Sequence, residues 1–211
     1  VMVDALKSKK IDPWWKRLNN RLFAPVDIAA IIYFRLAFGG IMMWEVYRYL
    51  DHGWVRRYWI EPSYHFSYFG WDWLQPWPGE WMYLHFAAMG VLAFFIFIGL
   101  FYRLSSTLFF LLFTMMFLME EAQYLNHFYL VALISGVMIF VPAHRSLSVD
   151  GWLWPEIRAQ LAPAWSFWLL RFMIGVPYFF GGIAKLNLDW LQGFPLHAWL
   201  GARTRVMARR H

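Results

Sequence analysis

Lys185, His127 and a few polar neighbours are the residues of this sequence best suited to moving a proton. The stretch Glu120-Glu121-x-x-Tyr124-x-Asn126-His127 sets titratable and hydrogen-bonding groups between two apolar runs. Glu120 and His127 are seven residues apart, which is two turns if the segment is one continuous helix. A hydrogen-bonded structural histidine would satisfy the same pattern. Arg171 and Lys185 sit in WLLRFMIGVPYFFGGIAKLNLDWLQG, fourteen residues apart and about 21 Å along an unbroken helix. Pro177 and the Gly181-Gly182 pair argue against an unbroken helix. Lys185 carries two readings. It is either an amine that snorkels to the interface, or one kept neutral by partial desolvation so that it can accept a proton. Arg171 stays protonated and is expected to be structural or to orient a ring, not to act as a base.

Other chemistries are missing from the pattern. The sequence contains no HExxH, P-loop, GxGxxG or GxSxG spacing. Cysteine is absent, which removes disulfides, thiolate metal sites and Cys nucleophiles. No metal site is expected.

The elements that must position these groups are dictated by composition. Of 211 residues, 61% are hydrophobic and 15% charged, against about 45–50% and about 25% in a soluble domain. Too little polar surface remains to cover a water-soluble globule. Aromatics at 22%, with 15 Trp, 11 Tyr and 21 Phe, exclude disorder. The net charge of +6 does not imply nucleic acid. Six of the 19 basic residues (Lys7, Lys9, Lys10, Lys16, Arg17, Arg21) precede the first long apolar run, as in a positive-inside segment.

A bilayer span needs about 20 mostly apolar residues, and five segments approach that: 27–50, 81–101, 104–119, 124–141 and 165–184. The third is short and should extend into its flanks. Ahead of them, Ile11, Trp15, Leu18 and Leu22 share a helical face within 11–23, which suits a helix in the headgroup layer. The loop HGWVRRYWIEPSYHFSYFGWDWLQPWPGE has the Trp and Tyr density of a membrane interface. The fold class is therefore all-α, a polytopic transmembrane helical bundle of about five spans plus an N-terminal interfacial helix. Its expected parts are a basic N-terminal segment (1–25), a transmembrane domain (26–200) and a basic tail (201–211). Because the sequence begins at Val1, a fragment of a longer chain with a truncated tail is expected.

With the N-terminus on the cytoplasmic side, Arg103, Arg145 and Arg158 fall inside, and Glu120 and Glu121 outside. Arg56, Arg57 and the tail arginines Arg203, Arg205, Arg209 and Arg210 run against this topology. The same topology puts His127 and Lys185 near one face. Within the first span, Arg35, Glu45 and Arg48 need a reason, because a charge there costs about 2.5–3.5 kcal/mol. Ion pairing that locks helices together supplies one, and Glu45 and Arg48 have the i,i+3 spacing for it.

The blocks LFAPVDIAAIIYFRLAFG, YLNHFYLVALIS, VPAHRSLSVDG and LLRFMIGVPYFFGGIAKLNLDWLQG add a resemblance. From about Leu22 to Leu200, the chain resembles the membrane part of vitamin K-dependent gamma-glutamyl carboxylases, especially the bacterial relatives in the horizontally transferred transmembrane domain family. The last block is the most specific. Animal carboxylases have a similar Arg, then Ala-Gly-x-Lys-Lys-Leu and a following Asp-Trp, matched here by Lys185, Asp189 and Trp190, with Ala184 in place of the first Lys.

The resemblance implies a carbon–carbon lyase of the bacterial inner membrane. Lys185 would be the base that deprotonates reduced vitamin K or a related quinol. His127, in Asn126-His127-Phe128-Tyr129-Leu130, would be the second catalytic residue. Asn126, Arg171, Tyr124, Glu120, Asp189 and Trp190 would support them. In the family reaction, O2 converts the quinol anion into a strong base that removes a γ-proton from a substrate Glu. CO2 then adds, and quinol epoxide is left. The implied partners are the lipid bilayer and a Glu-containing peptide or protein. The chemistry suits the residues, since a phenol-like hydroxyl needs a neutral base, which Lys can be and Arg cannot. An aromatic, Met-rich lining would suit a lipid-soluble quinol, although core packing explains the same residues. The alternative is a non-catalytic or transporter-like membrane module of the same family.

Overall fold

The computed structural model describes residues 14–194. Lys7, Lys9, Lys10 and the 201–211 tail with its arginines lie outside these residues. The elements run α1 (Trp14–Leu22), β1 (Pro25–Asp27), α2 (Ala29–Asp51), α3 (Trp81–Ile98), α4 (Tyr102–Leu118), α5 (Asn126–Met138), α6 (Val149–Leu153), β2 (Leu161–Pro163), α7 (Ala164–Ala184) and α8 (Leu188–Leu191). The chain divides into two compact units between Leu170 and Arg171, inside α7.

In the first unit α2 packs on α3, α3 on α4 and α4 on α5. Two glycines set how close these helices come. A Cβ on Gly39 would lie 2.8 Å from the backbone of Phe97, so α2 and α3 touch almost backbone to backbone there. Gly99 ends α3 at φ +69, and its amide and that of Leu100 bond back to Ile96 and Phe95 at 3.1 and 2.9 Å. This left-handed cap turns the chain directly into α4. The bundle is filled by Tyr49, Trp59, Phe86, Phe109, Phe113 and Phe128 with Met42, Met89 and Met116.

Three helices are long and apolar enough to cross a membrane: α2, α3 and α7, with 23, 18 and 21 residues. α4 and α5 are apolar but shorter, with 17 and 13 residues. At 1.5 Å per residue α5 reaches only about 20 Å, against a hydrocarbon core of about 30 Å. The helix expected around 11–23 is present as α1, with Trp14, Trp15 and Leu18 exposed and nothing buried.

Three details depart from the sequence reading. The described residues are all-helical as expected, apart from one short ribbon in which β1 and β2 pair antiparallel in the register Pro25↔Pro163, Val26↔Ala162, Asp27↔Leu161. A two-stranded ribbon has free edges, so prolines are tolerated in it. Asp27 then starts α2 by accepting the Ala29 amide at 2.7 Å. The second departure is α7, which runs unbroken through Pro177 and Gly181-Gly182. The third is the aromatic loop, which contains a π-helical turn (Arg56–Ile60) and buries Val55, Trp59 and Leu74.

Candidate functional site

The buried charge of α2 does not form the expected ion pair. Arg35 is fully buried and donates through Nη1 to the Ala143 carbonyl at 3.1 Å and through Nη2 to the Leu147 carbonyl. Loop carbonyls, not a carboxylate, accept from its two Nη groups, and its buried Nε has no partner among the described residues. Asp150 is buried nearby but accepts the Phe101 and Tyr102 amides at 2.7 and 2.8 Å, which holds the start of α4. Tyr102 completes the knot by donating to the Met138 carbonyl at 2.9 Å and stacking on His144. Burial pushes the His144 imidazole below its usual range, and the charge of Arg103 adds to that. Glu45 and Arg48 do pair, at 2.7 Å.

The opposite end of the same helices carries Glu120, Tyr124, Asn126 and His127. α4 ends at Leu118 and α5 begins at Asn126, with extended backbone at Glu120 and Leu125. The continuous helix that would stack Glu120 beneath His127 is therefore absent. Glu120 is buried instead, and its carboxylate accepts the Phe66 and Ala122 amides at 3.2 Å each. It also meets His65 Nδ1 at 2.7 Å. The aromatic loop is thus fastened to the end of α4 by one carboxylate, with a return bond from the Glu121 amide to the Phe66 carbonyl at 2.7 Å. Tyr124 packs its ring 5.7 Å from Phe117. Asn126 and His127 open α5 and are exposed, and the His127 ring lies edge-on to Phe128 at 4.8 Å.

Two histidines and a tyrosine were missed by the sequence reading. His65 is one. Tyr68 has a buried hydroxyl with no partner among the described residues, and burial, then Glu121, holds its phenol above the usual range. His85, in the first turns of α3, is buried between α4 and the loop. The Trp77 indole can only donate, so its 3.1 Å contact makes His85 Nδ1 the acceptor. Nε2 then carries the proton and donates to the Leu112 carbonyl at 3.0 Å. An imidazole inside an apolar run is itself a flag, by the logic applied to Arg35.

Beside His85 lies a cleft of about 560 Å³, lined by Trp77, Pro78, Trp81, Leu84, His85, Ala88 and Leu112. The Met-rich aromatic core is different: its void among Met42, Tyr49, Phe86, Met89, Met116 and neighbours holds only about 20 Å³, roughly one water. Packing accounts for that lining. A flat aromatic ligand has room in the cleft and none in the core. Among the described residues, no three His, Cys, Asp or Glu side chains gather as a metal set would require.

In the second unit, Lys185 follows the last residue of α7 and is exposed. Its Nζ lies 5.2 Å over the Trp190 ring. Asn187 orders this corner, accepting the Trp190 amide at 2.9 Å and donating to the Ala184 carbonyl at 3.0 Å. So Lys185 and Trp190 are brought together by a capped turn. Asp189 and Arg171 are exposed.

Residues 23–209 match the HTTM domain, the domain family of the transmembrane region of vitamin K-dependent gamma-carboxylases. The chain belongs to this family. The match includes His127, Lys185, Asp189 and Trp190, and with the apolar helices it makes the chain an integral membrane protein. No solved structure matches the chain. Within the HTTM domain, the residues carried over from the carboxylases thus occupy two settings, a loop junction in the first unit and a capped turn in the second.

Proposed function

We propose that this HTTM domain is the membrane part of a quinol-dependent gamma-glutamyl carboxylase of the bacterial inner membrane, with five spans and a cytoplasmic N-terminus. The observation that carries this reading is the family match over 23–209, which takes in both Asn126-His127 and Lys185. The cleft beside His85 supports it by offering about 560 Å³ of apolar space, within the roughly 300–1,000 Å³ of small-molecule sites.

When bound, the quinol supplies, with O2, the base strength needed to remove a γ-proton from a Glu side chain to which CO2 then adds. The chain's own residues have smaller tasks. Lys185 in its neutral form accepts the quinol proton, and the Trp190 face 5.2 Å from its Nζ favours the ammonium that results. His127 is exposed and hydrogen-bonds no protein group among the described residues, which leaves its ring nitrogens for proton exchange. Glu120 supports this junction by holding the loop to α4.

A membrane module without catalysis is favoured by one observation, Ala184 in place of the first Lys of the family's pair. Lys185→Ala in the detergent-purified full-length protein separates the two. Under the enzyme reading, quinol epoxidation and CO2 incorporation into a Glu peptide fall together by about 10²–10⁴-fold. Alkaline buffer should partly restore both, because the free quinol then ionises unaided. A folded Lys185→Ala protein with parent-like epoxidation at neutral pH would sink the assignment of the base.

A further inference from the structure

The segment that follows α5 forms a second hollow, at the end of the bundle away from His127. Its walls are Ser146, Leu147, Ser148, Gly151, Trp152 and Arg158, and its volume is about 240 Å³. Arg158 Nε donates to the Gly151 carbonyl, which anchors the guanidinium at the rim. The two Nη groups of Arg158 and the Ser146 hydroxyl have no partner among the described residues. Ser148 is already committed, accepting the Gly151 amide at 2.9 Å and donating to the His144 carbonyl.

Positive charge predominates around the hollow. Arg103 and Arg145 are close enough to act on the His144 imidazole, and the Arg145 carbonyl bonds the Ala159 amide beside Arg158 at 3.1 Å. Of the nearby acids, Asp150 has both oxygens engaged by backbone amides, and Glu156 is exposed on the turn beyond α6. The rim is apolar: Leu147, Trp152, Leu153 and Trp154 are all exposed. The hollow also sits at a definite depth, because the Asp150 amide bonds the Gly99 carbonyl at 2.9 Å, at the very end of the apolar helix α3. Tryptophans at the end of a spanning helix settle at headgroup level, and basic pockets there attract anionic lipid.

We infer that the hollow beside Arg158 binds the phosphate of an anionic membrane phospholipid, with the Arg158 fork and the Ser146 hydroxyl as donors. Arginine suits the task because two parallel N–H groups match two phosphate oxygens. A space of this size takes a headgroup, and the acyl chains would lie along the exposed apolar rim. The inference stands independently of any catalytic reading.

The test is native mass spectrometry of the full chain in mild detergent with phosphatidylglycerol or phosphatidylcholine added. The parent should retain the anionic lipid over the zwitterionic one by about fivefold, the scale of one basic residue near a membrane surface. Arg158→Ala should lose that preference. Ser146→Phe should lose it too, by filling the hollow without removing a charge, and it carries the test if loss of the Arg158–Gly151 bond unfolds the segment. Arg57→Ala, which deletes an equal charge in the aromatic loop, should behave like the parent. Equal retention of both lipids, or undiminished preference in Ser146→Phe, would overturn the inference. Displacement of the lipid by inorganic phosphate or glycerol 3-phosphate at equal concentration would also overturn it, by marking a site for free anions.

Discussion

The two ends of the first unit each bury a charged side chain, and they treat it in opposite ways. At the arginine end, Arg35 meets fixed backbone carbonyls, and Asp150 meets fixed backbone amides. Both Asp150 oxygens and both Arg35 Nη groups are engaged by backbone atoms that cannot rotate away, while Arg35 Nε has no partner among the described residues. At the histidine end, Glu120 meets two amides but also an imidazole from a distant loop, next to exposed Asn126 and His127. Backbone partners make a joint. Side-chain partners that carry a proton, placed beside unpartnered ones, leave room for chemistry. Burial alone would have ranked Arg35 above His127 as a functional residue, whereas partner type ranks them the other way.

The sharpest break between the ends is a pair of variants. Arg35→Ala leaves the Ala143 and Leu147 carbonyls without their donor and opens a cavity beneath Gly99. The buried Ala143 carbonyl costs about 1–3 kcal/mol and the cavity about 2 kcal/mol or more, so the sum should be about 3 kcal/mol or more. Thermal unfolding in detergent should show a large loss of Tm or no folded protein at all. His127→Ala removes an exposed side chain and should leave stability within about 0.5 kcal/mol of the parent. In the carboxylase reading it lowers turnover by about 10²-fold or more. If Arg35→Ala unfolds no earlier than His127→Ala, the contrast between a joint and a reactive end is wrong.

The helices were readable in the sequence because apolar runs of this length leave the chain few choices. The HTTM family was readable because Lys185, Asp189 and Trp190 keep a specific spacing. What sequence could not carry was pairing across long separations. The partner of Arg35 is 108 residues away and is a carbonyl, which every residue has. The partner of Glu120 is His65, 55 residues earlier in a loop whose aromatic content drew attention to the interface and away from its histidine. The β1–β2 ribbon was hidden for the same reason: three-residue strands containing proline have no periodicity to detect. Lengths misled as well, since the apolar run 124–141 holds only a 13-residue helix, with extended backbone at Leu125 before it and a turn after Met138.

A middle-sized effect sharpens the contrast from the histidine end. Glu120→Gln keeps the shape and one carbonyl acceptor but loses the charge that holds His65. Hydrogen bonds to charged groups are worth about 1.5–3 kcal/mol, so the loop's attachment should weaken by about 1–2 kcal/mol. The loss should be local. Amide exchange at Phe66 and Ala122 should quicken, while amides in the core of α3 stay as protected as in the parent. Uniform loss of protection across both ends would mean that Glu120 is as structural as Arg35, and the distinction between the ends would fall.

The smallest expected effect lies at the arginine end, where the His144 imidazole stacks into the joint. Its ring lies 5.3 Å from that of Tyr102, with Arg103 and Arg145 adding positive charge and Asp150 opposing them. Its folded pKa is lowered from the ordinary 6.5, first by burial and then by Arg103. In the unfolded chain the imidazole takes its proton near that ordinary value, while the folded chain resists. Stability from this group is therefore complete above about pH 6.5 and drains away as pH falls below it. His144→Phe keeps a ring on Tyr102 but removes the titration, and it also relieves a buried Nδ1 that has no partner among the described residues. Near pH 8 its stability should sit within about 1 kcal/mol of the parent, since a flat ring replaces a flat ring. Between pH 6.5 and 5 the parent should lose stability faster than the variant. Parallel curves would show that His144 bears its proton as easily folded as unfolded, and the arginine end would then hold no strained imidazole.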